Sequence, residues 1–541
     1  MEAGSASSPE SEATRAAAAS RKRLVLVAAI LGTTVVTVDS TVVNVALPSI
    51  AEDLGGGLAG QQWTANAYLV TLSSLILIGG SLGDLFGARR VFMLGVGGFG
   101  ITSLFCAVAP TIELLVIARA LQGVFGALLT PAALAVIVAT FPPGERGRAV
   151  GAWTAWGGMG TVLGPLIGGQ LVDSASWRWI FAINIPVVLI TLLLVTRVMP
   201  EAESRDPDAR VDVVGAVLCA FGLAGITYGL IEQPRQGWGA VGVWLPLVAG
   251  VILFSAFVGW EARSRHPMLP LSLFRRRNFA IGNIETFSMY AGLGLLFFFL
   301  VLYLQQVAGY SAVEAGTTTI PVTLVMFLLS MRFGALADRY GPRFFMGFGP
   351  LMAAAGLALF LRLDADVDYV SDLLPGLLVF ALGLSITVAP LTATVLADAD
   401  QHNAGIASGV NNAIARVASL IAIAAVGALV ASSFGASLRD DLGAAANRPD
   451  VSRAIEAAEE QPLARVAAEE APPAVRARLE AASRDGSVHA FRLAIGIATG
   501  LVALGGVLGL AGIVNPRREV KACDCPGGQL VGATAEAARA A

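Results

Sequence analysis

The chain has 541 residues, 55% of them hydrophobic and only 14% charged, with a formal net charge of −3 and a mean hydropathy of +0.72. A soluble chain of this length would form several domains and carry about 25% charged residues to clothe them. The shortfall excludes a soluble multidomain enzyme, a disordered protein and a nucleic-acid binder, and leaves an all-α polytopic membrane protein.

Residues 1–23 contain no apolar run and read as a disordered cytoplasmic tail. The basic run Arg21-Lys22-Arg23 ahead of Leu24 has the look of a signal peptide, but the apolar stretch continues to Leu47. That is too long for a cleaved segment and marks a retained span. A helix needs about 20 apolar residues to cross a bilayer. On that measure, helices are expected at 24–47, 62–82, 91–110, 112–139, 149–172 and 179–198, then at 212–231 and 242–260. A further set follows at 279–304, 315–336, 344–363, 373–397, 404–433 and 490–514, which makes fourteen. Residues 515–541 form a second cytoplasmic tail, whose Cys523 and Cys525 are too few for a structural zinc site.

The arginines test this count. With the N-terminus inside, the short inner loops hold Arg89, Arg90, Arg146, Arg148, Arg197, Arg205, Arg210, Arg263, Arg265, Arg275, Arg276, Arg277, Arg332, Arg339 and Arg343. The short outer loops hold Arg178, Arg235 and Arg362. This positive-inside bias places both termini in the cytoplasm, with the chain in the cytoplasmic (inner) membrane. Residues 438–489 form a long extracellular segment rich in Ala and charge, read as a solvated insertion with short exposed helices near 452–460 and 473–483.

A loop motif occurs twice. Gly80-Ser81-Leu82-Gly83-Asp84-Leu85-Phe86-Gly87-Ala88-Arg89 follows the second helix, and Gly334-Ala335-Leu336-Ala337-Asp338-Arg339-Tyr340-Gly341-Pro342-Arg343 follows the tenth. Helices at 24–198 and 279–514 therefore read as two copies of a six-helix bundle, with 212–260 an inserted pair. Parallel repeats of this kind enclose a midplane site in one known class of transporters. In each copy the Asp can bond the start of a helix across the bundle. Asp84, Arg89, Asp338 and Arg343 are thus a candidate conformational latch.

The pattern resembles the major facilitator superfamily and, within it, the fourteen-helix drug:proton antiporters. Helix 1 ends Val38-Asp39-Ser40-Thr41-Val42-Val43-Asn44-Val45-Ala46-Leu47-Pro48, similar to that family's first-helix motif. Arg119-Ala120-Leu121-Gln122-Gly123 in helix 4 resembles its R-x-x-Q-G motif. Gly160, Gly164, Pro165, Gly168 and Gly169 in helix 5 match its antiporter motif, and Trp177-Arg178-Trp179 leading to Asn184-Ile185-Pro186 resembles the start of its helix 6. The resemblance covers 24–514 and implies the major facilitator fold. It implies export of amphiphilic organic compounds or drugs, driven by a proton gradient, with Asp39 as a proton site.

Four ionisable residues stand out deep within spans, where each is a functional hypothesis by default. Asp39 and Arg119 lie at similar depths, ~13 Å and ~12 Å below the outer ends of helices 1 and 4, and can pair. Glu285 lies ~10 Å from the inner end of helix 9. It reads as a second proton site, a group attracting cations, or a carboxylate reaching toward Arg275–Arg277. Arg416 in helix 13 is a candidate partner for it. Proton coupling is accordingly assigned to Asp39, Arg119 and Glu285.

Thr33, Thr37, Ser40 and Asn44 form one polar stripe along helix 1, facing a wet cavity or another helix. The candidate substrate cavity comprises Thr37, Asn44, Gln122, Trp153, Trp156, Tyr290, Asn411, Asn412 and Arg416. The tryptophans supply aromatic faces or interfacial anchors. No metal spacing involves His266, His402 or His489, and no phosphate loop or nucleophile motif occurs, so no metal, no cofactor and no enzyme chemistry are expected. The expected partners are a small amphiphilic organic substrate, protons and the bilayer. Two alternatives stay open: export of one endogenous metabolite, lipid or antibiotic on the same fold, and a non-transporting receptor or platform built on 438–489.

Overall fold

In the computed structural model the described residues are 9–199, 211–397, 404–443 and 473–515, with isolated positions between 446 and 463. The 1–8 and 516–541 ends, Cys523 and Cys525 among them, lie outside the described residues. So do some side chains within helices, including those of Asp84 and Asp338.

The first half contains α1 (Pro9–Leu54), α2 (Gly57–Phe86), α3 (Ala88–Ala107), α4 (Ile112–Thr140), α5 (Pro143–Ser174), α6 (Trp179–Ala182) and α7 (Asn184–Val198). The inserted pair is α8 (Val213–Gln236) and α9 (Val241–Glu261). The second half contains α10 (Arg277–Gln306), α11 (Ala312–Thr317), α12 (Ile320–Tyr340), α13 (Pro342–Leu359), α14 (Leu374–Ala397), α15 (Ala404–Leu442) and α16 (Pro473–Gly512). Among the described residues there is no strand. Each of the fourteen expected spans falls on these helices, twelve of them on a single helix and two on a joined pair. The expected sixth is α6 and α7 joined near Ile183, just before Pro186, and the expected tenth is α11 and α12 joined before Pro321. A proline in the first turn of a helix gives up no hydrogen bond, so both breaks fall where proline is tolerated.

Twelve candidate spans among the described residues pass on length and apolar composition. The two remaining expected spans, α2 and α5, include residues outside the described set, and their described polar or glycine positions pack against neighbouring helices. On α2, Gln61, Gln62, Thr64, Asn66, Ser73 and Ser74 are all buried. On α5, Gly160, Gly164 and Gly168 lie against α1.

Two helices run beyond expectation. The first starts at Pro9 instead of Leu24, because the Ala-rich stretch ahead of the membrane favours helix. At 46 residues it is about 69 Å long. Lys22 Nζ bonds Glu145 Oε2 of α5 at 2.8 Å, and Arg21 donates to Val198 O at 3.0 Å. The last helix starts at Pro473, so the expected short helix at 473–483 is the lead-in to the final span. The 438–489 stretch is also not simply solvated: among its described residues, Leu438, Leu442, Val451, Ile455, Leu463 and Leu479 are buried in the main apolar core. Apolar positions spaced along an Ala-rich chain outweigh its charges once a core lies beneath them.

The way the cores divide is decisive for function. Toward the face opposite the arginine-rich loops, one core joins both halves, running from Val42, Leu47 and Ile50 of α1 to Leu300, Tyr303 and Leu304 of α10 and Phe434 of α15. Toward the arginine-rich face each half has its own core. One is built on Val25, Phe92, Val136 and Val195, the other on Phe279, Met346, Val395 and Ile513. The inserted helix α8 covers the seam between α2 and α15, with Leu223 packed beside Val70 and Leu420.

Candidate functional site

A fully buried ion pair sits in the first half. Arg119 Nη1 on α4 donates to Asp39 Oδ2 on α1 at 2.5 Å, with the two side chains 1% and 0% exposed. The other carboxylate oxygen, Oδ1, accepts from Gln122 Nε2 at 2.9 Å and Asn184 Nδ2 at 3.2 Å. Both amides also donate to Ser103 Oγ on α3, at 2.8 and 3.3 Å. Arg119 is held further by Gln122 Oε1 at 2.6 Å and by Thr64 O at 3.1 Å. Its guanidinium lies over the Tyr68 ring, 4.4 Å from the centroid. Removing two charges from water is expensive, and their attraction offsets it only with excellent geometry and satisfied remaining bonds. Here five side chains from four helices supply both.

The expected Asp39–Arg119 pairing is therefore present. Gln122 belongs to this network instead of to the substrate cavity. The sequence reading gave no site role to Ser103 or Tyr68, and noted Asn184 only within a motif. A hydroxyl or amide at depth on a mostly apolar helix is the available signal, but it does not reveal which helix it meets.

Between the halves lies a cavity of about 300 Å³. Its walls come from α1, α2, α4, α10 and α15 and include Ser40, Asn44, Tyr68, Arg119, Tyr290, Phe297, Asn412, Arg416 and Ser419. Asn44, Tyr290, Asn412 and Arg416 thus lie where they were expected. Arg119 is shared: it lines the cavity and covers Asp39, which does not line it.

Four other expected cavity residues are elsewhere. Thr37 faces Gly160 of α5, since the glycine brings the two helices together at that level. Trp153 Nε1 donates to Thr33 Oγ1 at 2.9 Å, which ties α5 to α1. Trp156 is more than half exposed and is not part of the wall of this cavity. Asn411 bonds Asn283 and Thr286 of α10, at 3.1 and 2.7 Å, and stitches the second half internally.

Glu285 and Arg416 do not pair. Glu285 is fully buried with both oxygens unpartnered among the described residues, and it lies against Gly505 and Gly509 of α16. Arg416 points to the other side of α10, into the cavity. Glu285 makes no bond to the cytoplasmic arginines among the described residues either, and Arg277 is engaged by Gly512 O and Ala511 O. The physical reason is helical phase. Glu285 and Tyr290 lie about 140° apart around α10 at 100° per residue, so one helix cannot turn both toward the cavity.

The helix-5 glycines make close crossings. A Cβ on Gly164 would stand 2.1 Å from Thr41 Oγ1, and one on Gly168 would stand 2.2 Å from Val42 Cγ2. Gly169 and Pro165 face the other half instead: a Cβ on Gly169 would lie 2.4 Å from Val313 Cα, and one on Gly316 would lie 2.6 Å from Pro165 O. One turn further, the Asp173 carboxylate accepts from Ala312 N at 3.0 Å and Val313 N at 2.8 Å, the first amides of α11. Gln62 donates to Ile423 O at 2.8 Å, and Gln305 donates to Val45 O at 3.0 Å. These three side chains close the halves together on the face opposite the arginine-rich loops.

A carboxylate bonding a helix start across the bundle was expected at Asp84 and Asp338, whose side chains lie outside the described residues. That contact is present at Asp173, on the opposite face. Arg89 donates to Thr196 O at 3.3 Å, and Arg343 donates to Leu510 O at 2.7 Å, so each also ties helices within its own half.

The model of the Major Facilitator Superfamily matches residues 29–423. The chain belongs to the major facilitator superfamily. This membrane transporter is 35% identical over 430 residues to the tetracenomycin C resistance and export protein of Streptomyces glaucescens, with 79% of each chain covered. It is 35% identical over 481 residues to a puromycin resistance protein of Streptomyces alboniger, covering 87% of this chain and 88% of that one. Identity to the multidrug resistance protein Stp of Mycobacterium tuberculosis is 31% over 427 residues, 79% of each chain. Among solved structures, a bacterial homologue of the human lysosomal transporter Spinster superposes with a TM-score of 0.64 at 17% identity, over 90% of this chain and 97% of that one. The family and the relatives within it make the chain a transporter and not an enzyme.

Proposed function

We propose that the protein exports amphiphilic organic compounds across the cell membrane in exchange for protons, by alternating access. The observation that carries this reading is the Asp39–Arg119 pair. Its carboxylate is fully buried, and its arginine forms part of the wall of the cavity between the halves. A proton reaches Asp39 only when Arg119 moves, and Arg119 moves only with a change in the cavity. Protonation state and cavity state are thereby linked, which is what a coupled carrier requires.

The termini and arginine-rich loops are assigned to the cytoplasm by the positive-inside rule. The halves then meet on the outer face, and the described conformation closes the cavity to the outside. Rocking the halves would break the Asp173, Gln62 and Gln305 contacts and open it there. The proton gradient supplies the energy, without a bound cofactor. Glu285, the other intramembrane carboxylate, is the second candidate for proton movement. The names of the relatives in Streptomyces and Mycobacterium support a drug or antibiotic as substrate.

The test is transport in proteoliposomes under an imposed pH gradient, comparing the native protein with Asp39→Asn and Glu285→Gln. A gradient should accelerate uphill flux in the native protein and leave Asp39→Asn at its downhill rate. Native coupling in Asp39→Asn would reject Asp39 as the proton site, and native coupling in Glu285→Gln would confine the coupling to the first half.

A further inference from the structure

We infer that the central cavity selects an acidic aromatic amphiphile, a flat apolar body carrying a carboxylate or phenolate, and that Arg416 is the residue that binds the acidic group. The inference rests on reading this cavity as the transport site.

The charge around the cavity is one-sided. Arg119 and Arg416 are its ionisable walls apart from two tyrosines, and no carboxylate lines it among the described residues. The two arginines differ in what they hold. Arg119 is neutralised by Asp39, Gln122 and Thr64 O, as described above. Arg416 makes no ion pair among the described residues, and its Nε is buried without a partner. The acid that might have neutralised it, Glu285, is on the far side of α10. The cavity therefore presents one uncompensated guanidinium.

A partly buried guanidinium facing a ligand cavity is stabilised by an anion, and its planar fork suits a carboxylate by two parallel bonds. A cationic ligand would meet the same charge with no acid to balance it. The remaining walls suit an aromatic body. Tyr68, Tyr290 and Phe297 are the aromatic faces, Leu69, Leu293 and Ile423 are apolar, and Asn44 with Ser419 offers polar groups for ring substituents. A volume of about 300 Å³ sits at the small end of ligand cavities.

Three probes with one ring system and different charge decide the matter: 2-naphthoate, 2-naphthalenemethanol and 2-naphthylmethylammonium. Binding to the full-length detergent-solubilised protein is measured by calorimetry, which needs neither transport nor a proton gradient. Naphthoate should bind about tenfold or more tighter than the ammonium probe. In Arg416→Gln the ratio should collapse to about twofold or less, while Arg416→Lys should keep its direction. Asn412→Asp places a carboxylate in the same wall with Arg416 retained, and should shift the ratio toward the cation even where the Arg416 variants fail to fold.

Equal binding of anion and cation by the native protein overturns the inference, as does an anion preference that survives Arg416→Gln. If those results come with intact pH-driven export, the substrate class is wrong and the export reading stands. If native naphthoate selectivity holds while the pH gradient has no effect, the proton coupling is wrong and the substrate class stands.

Discussion

Neutralising Asp39 alone and together with Arg119 should separate what the ion pair does for the fold from what it does for coupling. Asp39→Asn is nearly isosteric, but the site cannot accommodate an amide. Oδ1 receives N–H groups from Gln122 and Asn184, and Oδ2 receives one from Arg119. An asparagine has one acceptor oxygen, so either orientation turns its NH2 against a donor. Gln122 cannot flip to help, because its Oε1 already accepts from Arg119. The variant also leaves a guanidinium buried without its counter-charge. Removing one partner of a buried pair typically destabilises by about 3–5 kcal/mol. Arg119→Gln leaves the carboxylate in the opposite predicament and should cost a similar amount, so independent effects would sum to about 6–10 kcal/mol. The double variant carries no buried charge and should lose only about 1–3 kcal/mol, the hydrogen bonds left imperfect. Unfolding of the four proteins in one detergent measures the cycle, and the coupling should be about 3 kcal/mol or more. The double variant should also move substrate downhill yet gain nothing from a pH gradient. Additivity within about 0.5 kcal/mol would refute the pairing, and pH-driven transport by the folded double variant would refute the role of Asp39 in coupling.

Two further outcomes follow from the contacts of α5. Gly164→Val places a branched side chain where a single Cβ already meets Thr41 Oγ1 at 2.1 Å. It should force α5 off α1 and lower stability by about 1–3 kcal/mol; native stability with native flux would reject the tight crossing as necessary. Asp173→Ala removes both acceptors from the start of α11 while leaving Ser311 and Glu314 to cap that helix locally. A lost capping interaction is worth about 1 kcal/mol, roughly a fivefold shift in population toward the form open on that face. Spin labels on α5 and α11 read this as a larger long-distance fraction, and an unchanged distance distribution would remove Asp173 from the closing contacts.

Helices, their order and the pairing of two buried charges were legible because membranes write them into linear sequence. A span must be about 20 apolar residues long and satisfy its own backbone, so hydropathy alone locates it. Asp39 and Arg119 stood out because charge at depth is rare. Segment 438–489 was misjudged because its charge density masked a sparse set of leucines and valines that find a core only in three dimensions. The Glu285–Arg416 match failed for a related reason. Both lie in spans of the second half, but their facing depends on how α10 is rotated against α15 and α16.

By itself the sequence determined the class of protein, the fourteen helices, the repeat and the first buried ion pair, all of which follow from local hydropathy and helical period. The tertiary structure alone decided which polar groups meet. It put Ser103 and Asn184 beside Asp39, set Glu285 apart from Arg416, and brought Asp173 to the start of α11. It also divided the apolar core, shared on one face and split on the other. Those relations depend on helix rotation and on the packing of two halves hundreds of residues apart, and no linear pattern encodes either.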